Sequence, residues 1–257
     1  MNDAQVVIDY VIDHLLHNER TAMASKHVHP DDAAKGLEWY RRADIADPGI
    51  DPTQIVQRVP YVLQVYQSKA LWPQTDLFRV SISSEALFTT PFSETVEMPD
   101  FESVRKEIHE LFSEAHLVGC FKPYRFWKTG GHYVFNAEFL AWGCVAKELD
   151  QIAAGFAARH VRVSRSTPVM MYSKLKADQF LGQLLEVLSV PDRQFVDEMD
   201  FDNAYHIPMD FCAEIELKEL LKCFPLSSQI LSQGDGRKLL WSKAKATSWS
   251  GGRRIGK

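Results

Sequence analysis

The aromatic stretch 121–135 constrains the fold more than any other part of the chain. Aromatic-rich runs, 121–128 and 132–135, flank Thr129-Gly130-Gly131. Glycines at such a point supply the positive φ that a tight hairpin turn needs, and aromatic side chains suit the strands on either side. The sequence therefore predicts an antiparallel β-hairpin here. With 29 aromatic residues in 257 (6 Trp, 8 Tyr, 15 Phe), disorder of the whole chain is excluded.

The segments around the hairpin read as a mixture. Val7, Val11 and Leu15, widened by Ile8, Ile12 and Leu16, predict an amphipathic helix that Asp3 can cap. A second helix is expected over 31–46, before the Asp47-Pro48-Gly49 turn. A third starts at Asp51-Pro52, with Ile55, Val59, Val62 and Tyr66 on one side and Pro60 as a kink or early stop. After Trp72-Pro73 the alternation over 77–82 predicts a strand. Val104, Ile108, Leu111 and Phe112 predict a helix over 101–116. Asn136 is expected to cap a long helix reaching about His160. Short strands are expected at 161–163 and 169–172, and a helix over 177–188. Helices and strands mix without βαβ alternation, so the expected class is α+β. It comprises a mostly helical N-terminal part packed on the body (1–72), a body of mixed antiparallel sheet and helix (73–231) and a short basic C-terminal tail (232–257).

The formal net charge of −5 is the sum of two unlike parts. Residues 235–257 hold seven Lys/Arg against one Asp, and residues 1–234 hold 22 basic and 33 acidic side chains. The segment 186–219 alone carries ten Asp/Glu against two Lys/Arg. The leading expectation is a partner-docking protein that uses this acidic face and the basic tail 235–257, with another protein as its partner. Nucleic acid could engage only the tail, through Arg237, Lys238, Trp241, Trp249, Arg253 and Arg254, because cations neutralise phosphates and Trp stacks on bases. The acidic body would repel phosphate. The tail could also fold onto the chain's own acidic segment.

Cysteines at 120, 144, 212 and 223 form no C-x-x-C pair, so free thiols in a reducing compartment are expected. The N-terminus has no basic start followed by an apolar run, and no stretch approaches 18 apolar residues. A cytoplasmic protein without a membrane partner is the expectation. No G-x-G-x-x-G, G-x-x-x-x-G-K-[ST], G-x-S-x-G or H-E-x-x-H occurs.

The segment 211–224, F-C-A-E-I-E-L-K-E-L-L-K-C-F, has two readings. As a strand it lines up Glu214, Glu216 and Lys218 on one side. As a helix it stripes Leu217, Leu220, Leu221 and Phe224, and Glu214 pairs with Lys218. The strand reading opens two enzymatic alternatives. Arg125 in Tyr-Arg-Phe, Ser166-Thr167-Pro168 and Glu214-Ile215-Glu216 follow one another in an order that resembles the short motifs of NAD-dependent ADP-ribosyltransferases. The resemblance implies NAD binding by Arg125, Ser166 and Thr167. It implies that Glu216, with Glu214 beside it, stabilises the positive ribose as nicotinamide leaves. Pro191-Asp192 with Glu216-Leu217-Lys218 resembles the loose P-D…E-x-K pattern of restriction-type nucleases. This implies Mg²⁺ held by Asp192 and Glu216 and water activated by Lys218.

Three weaker patterns remain. His27-Val28-His29 with Tyr172 and Lys176 resembles the rolling-circle replication endonucleases, and Arg20 with His27 the helical RNA-cleaving toxins. Cys144 and His132 form a conceivable nucleophile pair, although a buried structural thiol is the expectation for Cys144.

Overall fold

The computed structural model describes residues 65–66, 68–88, 98–126, 132–163, 168–188, 193–195, 206–208 and 226–241. The helices expected within 1–64 and the tail beyond 241 lie outside the described residues. Seven strands form one sheet: β1 (Leu77–Ile82), β2 (His116–Phe126), β3 (His132–Trp142), β4 (Met170–Leu175), β5 (Arg193–Phe195), β6 (His206–Pro208) and β7 (Ile230–Gln233). Among the described residues five α-helices accompany it: α1 (Phe101–Leu111), α2 (Ala146–Arg159), α3 (Phe180–Leu188), α4 (Leu226–Gln229) and α5 (Asp235–Trp241). The class is α+β.

The strand order is β4-β1-β3-β2-β5-β6, and β7 also pairs with β2. The hairpin forms its centre. β2 and β3 pair antiparallel over their full length, from His116↔Trp142 to Phe126↔His132. β1 pairs with β3 on one side and β4 on the other, both antiparallel. The outer edge of β2 is shared. β7 covers Leu117 to Cys120 antiparallel, and β5 meets Phe126 in a parallel pair.

Both faces of the central strands are buried, which decides the positions of the helices. On one face Phe78, Val80, Phe121, Tyr133, Phe135 and Phe139 meet α1 and α2. Phe101 of α1 packs against Phe121 and Phe135 with ring centroids 5.0 and 4.8 Å apart, and Phe112 meets Phe139 edge-on at 5.2 Å. On the other face Leu77, Val118, Leu140 and Trp142 meet α3 and α5, and Val65, Leu71 and Trp72 join the same cluster. The described end of the N-terminal part thus packs on the body, and the Trp72 indole N–H donates to the Val65 carbonyl at 2.9 Å.

The hairpin and β1 stand where the sequence puts them, but two elements differ. The long helix expected from Asn136 is instead the rest of β3, and α2 begins only at Ala146. Burial on both faces removes the period-2 alternation that marks a half-buried strand, so 132–142 reads as apolar in any conformation. Gly143, at φ 78°, breaks the chain between strand and helix. The helix expected over 101–116 ends at Leu111, because His116 already pairs with Trp142. Residues 161–163 are not a strand, while the next strand is β4.

The first seven residues of the basic segment form α5, with Leu239 and Leu240 buried against the sheet. Gly236 lets this helix touch β2: a Cβ there would stand 1.6 Å from the Leu117 carbonyl oxygen, which is backbone and cannot yield. Gly236→Ala is therefore expected to lower the denaturation midpoint by several degrees. A chain ending at 234 forfeits the burial of two leucines, roughly 1.5–3 kcal/mol each, whereas a chain ending at 241 keeps the full cooperative unfolding transition. Thermal unfolding of Gly236→Ala and urea unfolding of the two truncated chains check this.

Candidate functional site

Two polar constellations stand out among the described residues. The first lies on the face shared with α3. Strand alternation and register put Arg79 and Ser81 of β1, Glu138 and Asn136 of β3, and Lys122 and Tyr124 of β2 on one side. Glu138 is only 5% exposed and Lys122 7%. Arg79 Nη2 donates to Glu138 Oε2 at 3.2 Å and Nη1 to Glu186 Oε1 at 2.7 Å. The Tyr124 hydroxyl donates to Glu138 Oε1. Gln183 accepts from Arg79 and donates to Glu186, each at 3.2 Å. Burial, with the Glu138 carboxylate beside it, pushes the Tyr124 hydroxyl well above its ordinary range, so it stays a proton donor at neutral pH.

The same cluster grips the end of α3. Lys122 Nζ donates to the Glu186 carbonyl at 3.0 Å and Cys120 Sγ to the Val187 carbonyl at 3.2 Å. Carbonyls in a helix's last turn lack intrahelical partners, and a cation there meets the negative end of the helix dipole. The cluster thus fixes the point at which the chain leaves α3 toward the acidic segment.

The second constellation joins three elements. Ser84, which ends the β1 extension, places Oγ 3.2 Å from His160 Nδ1. His160 Nε2 lies 2.7 Å from Glu107 Oε2 on α1, and Arg159 Nε donates to Glu107 Oε1 at 2.7 Å. A tautomer with the proton on Nε2 satisfies the whole chain: Nε2–H donates to Glu107, and Nδ1 accepts the Ser84 hydroxyl. That is the hydrogen-bond order of a nucleophile, base and orienting acid. However, Ser84 is 1% exposed and its Oγ also accepts the Ala86 N–H at 3.2 Å, capping a one-turn 3₁₀ helix. The chain of hydrogen bonds latches α1, the residues that end α2 and the residues that follow β1 together. Burial disfavours the Glu107 carboxylate, but hydrogen bonds from His160 and Arg159 outweigh it and hold Glu107 below its ordinary range.

Of the residues selected from sequence, Arg125 lies in β2 opposite Tyr133, one position from Tyr124. Ser166, Thr167, Asp192, Glu214, Glu216 and Lys218 lie outside the described residues, as do His27, His29, Trp249, Arg253 and Arg254. Arg237 and Lys238 are exposed on α5, and Trp241 is its last residue. Cys144 is buried, and burial with Glu148 nearby pushes its thiol to about 11, which makes it a structural thiol at neutral pH. His132 and Cys144 stand at opposite ends of the 11-residue β3, so they do not pair. Tyr172 packs edge-on against Phe78 and donates to Asp150, a packing role.

Sequence reading missed Arg79, Lys122, Tyr124, Glu138, Ser84, Glu107 and His160. A signal existed for two of them. Lys122 and Glu138 are charges set among apolar and aromatic strand residues, a context in which a charge must find a partner. Among the described residues no group of three or more His, Cys, Asp or Glu could hold a metal ion, and no helix is long and apolar enough to cross a membrane. Comparisons with protein-family models, with curated proteins and with solved structures found no match.

Two outcomes follow for stability. Glu138→Ala leaves Arg79 and Tyr124 without their shared acceptor and is expected to cost about 3 kcal/mol. Lys122→Met keeps the stem but uncaps α3, at about 1–2 kcal/mol. Urea midpoints measure both. Glu107, with its lowered folded value, contributes stability that is complete above the unfolded carboxyl value of about 4.3 and lost as pH falls through the folded value. Glu107→Gln should therefore flatten the stability profile below about pH 5 and leave its neutral-to-alkaline slope unchanged.

Proposed function

We propose that the protein is a docking protein that recognises a basic partner protein through the acidic connection between β5 and β6. The observation that carries this reading is the pairing of those two strands. Arg193↔Pro208, Gln194↔Ile207 and Phe195↔His206 bring the two ends of residues 196–205 together at the rim of the sheet. That connection reads V-D-E-M-D-F-D-N-A-Y, with Asp197, Glu198, Asp200 and Asp202 and no Lys or Arg. The capped end of α3 and the Phe126↔Phe195 pair support its placement from the chain's other side. Four like charges within six residues of sequence attract a cationic surface from a distance and reject anionic ones. Arg237 and Lys238 are exposed on α5, Lys238 paired with Asp235, and in this reading they offer a second contact to an acidic patch of the partner.

The test is binding of a fluorescein-labelled lysine-rich peptide, followed by anisotropy at low and physiological salt. Exposed charges contribute roughly 0.2–1 kcal/mol each. Neutralising all four (Asp197→Asn, Glu198→Gln, Asp200→Asn, Asp202→Asn) is therefore expected to weaken binding by about tenfold or more. Ending the chain at 241 should leave that binding intact. Equal binding by the neutralised chain overturns the reading. Binding of a single-stranded oligonucleotide that disappears on truncation at 241 would favour the nucleic-acid role of the tail instead.

One observation favours a second reading, NAD-dependent transfer by Arg125, Ser166, Thr167, Glu214 and Glu216. Val163, the last described residue before 164–167, packs against Val134 at the hairpin end of the sheet, and Arg125 belongs to the strand paired there. In this reading the loop carrying Ser166 and the strand carrying Arg125 share one end of the sheet. Glu216 would stabilise the ribosyl cation as nicotinamide departs. Incubation with NAD should release nicotinamide, and Glu216→Gln should abolish the release. Undiminished release by Glu216→Gln excludes the assignment.

A further inference from the structure

α5 is fastened to the sheet through a histidine. His116 opens β2, and its Nδ1 accepts the backbone N–H of Asp235, the first residue of α5, at 3.1 Å. The first N–H groups of a helix have no intrahelical partner, so this bond caps α5. The ring is built into its place. The two glycines at positive φ among the described residues, Gly143 at 78° and Gly234 at 57°, lie against it. A Cβ at Gly234 would stand 2.3 Å from Nδ1, and one at Gly143 would stand 3.3 Å from Cδ2. The ring also packs on Trp142 of β3, with centroids 5.5 Å apart. Its side chain is nevertheless 34% exposed, so protons reach it.

A ring nitrogen that accepts carries no proton, so the neutral, docked ring holds its proton on Nε2. Protonation places a second N–H on Nδ1, aimed at the N–H of Asp235. The acceptor becomes a donor, the cap is lost, and a cation stands at the positive end of a helix. The described charges around the ring are Asp235, whose Oδ2 lies 3.6 Å from Nε2, Lys238, which holds Asp235 Oδ1 at 2.6 Å, and the exposed Glu114 two residues before it. The Asp235 carboxylate attracts an imidazolium. However, it is too distant for a hydrogen bond, Lys238 already holds it, and both side chains are partly solvated, so the attraction is screened. The hydrogen bond from Lys238 outweighs burial and keeps the Asp235 carboxyl below its ordinary range, so its charge is constant while a histidine titrates.

We propose that His116 is a proton-operated latch, which holds α5 on the sheet when neutral and releases it when protonated. The docked state binds fewer protons than the released one. Docking is therefore complete at the alkaline end of the histidine range and weakens as pH falls through it. Release uncovers Leu239 and Leu240, while β7 keeps its ladder to Leu117–Cys120, which does not use the ring.

Hydrogen–deuterium exchange of the full chain tests this, read from about pH 8 to about pH 5 and corrected for the pH dependence of chemical exchange. Protection of the amides 237–241 is expected to fall about tenfold toward acid pH while the β2–β3 amides hold theirs. In His116→Asn the amide oxygen stands where Nδ1 stood, accepts the same N–H and does not titrate. Protection of 237–241 in that variant should not change with pH. The ¹⁵N shifts of the wild-type ring give a check that needs no variant: near pH 8 they should show a proton on Nε2 alone. A neutral ring protonated at Nδ1 overturns the proposal. So does protection of 237–241 that is equal across the range, that falls in step with β2–β3, or that falls equally in His116→Asn.

Discussion

The rest of the structure depends on the burial of β2 and β3 on both faces. Their pairing is unbroken from His116↔Trp142 to Phe126↔His132, and it carries Phe121, Tyr133, Phe135 and Phe139 on one side and Val118, Leu140 and Trp142 on the other. A strand pair with two apolar sides cannot face water on either, so helices must cover both. α1 and α2 do so on one face, α3 and α5 on the other. This requirement also explains why the start of the basic segment is helical and tightly packed. Without Leu239 and Leu240 the second face would remain partly open.

Two-sided burial makes charges inside these strands expensive, and the polar cluster is the way the fold accommodates them. Glu138 and Lys122 sit in the middle of apolar strands. Each is matched, Glu138 by Arg79 and Tyr124, Lys122 by a helix carbonyl. The partners come from three strands and α3, so the cluster can form only when the sheet register and the helix position are both correct. Such a network confers specificity more readily than net stability. It also turns the end of α3 into a fixed exit for the acidic segment.

The hairpin was legible because its turn is marked by two glycines and its strands by aromatics, both local signals. β1 was legible because a strand near one edge keeps some alternation, with Arg79 and Ser81 between Phe78, Val80 and Ile82. β3 was not, because a strand buried on both sides has no period to read. The candidate site was largely hidden for another reason. Arg79, Tyr124 and Glu138 are far apart in sequence, and only the β1-β3-β2 register brings them together. Ser84, Glu107 and His160 likewise meet through packing of α1 and α2, which no short motif encodes. The charges Lys122 and Glu138, set among apolar strand residues, were the one local trace of the cluster.

The charge split acquires a geometry from the outer edge of β2. β5, which leads into the acidic connection, joins that edge at Phe126, and β7, which leads into the basic segment, joins it from Leu117 to Cys120. From Cys120 to Phe126 a strand rises about 20 Å. That is more than two Debye lengths at physiological ionic strength, each about 8 Å. The anchors of the two segments are thus far enough apart to be screened from each other. The 16 residues beyond Trp241 could span about 50 Å if extended, so self-association of tail and acidic connection is open to the chain. It would have to form by contact rather than by long-range attraction, and would weaken as salt rises. The net charge of −5 is thus the sum of an acidic and a basic stretch of sequence whose strand anchors meet different parts of one edge of β2.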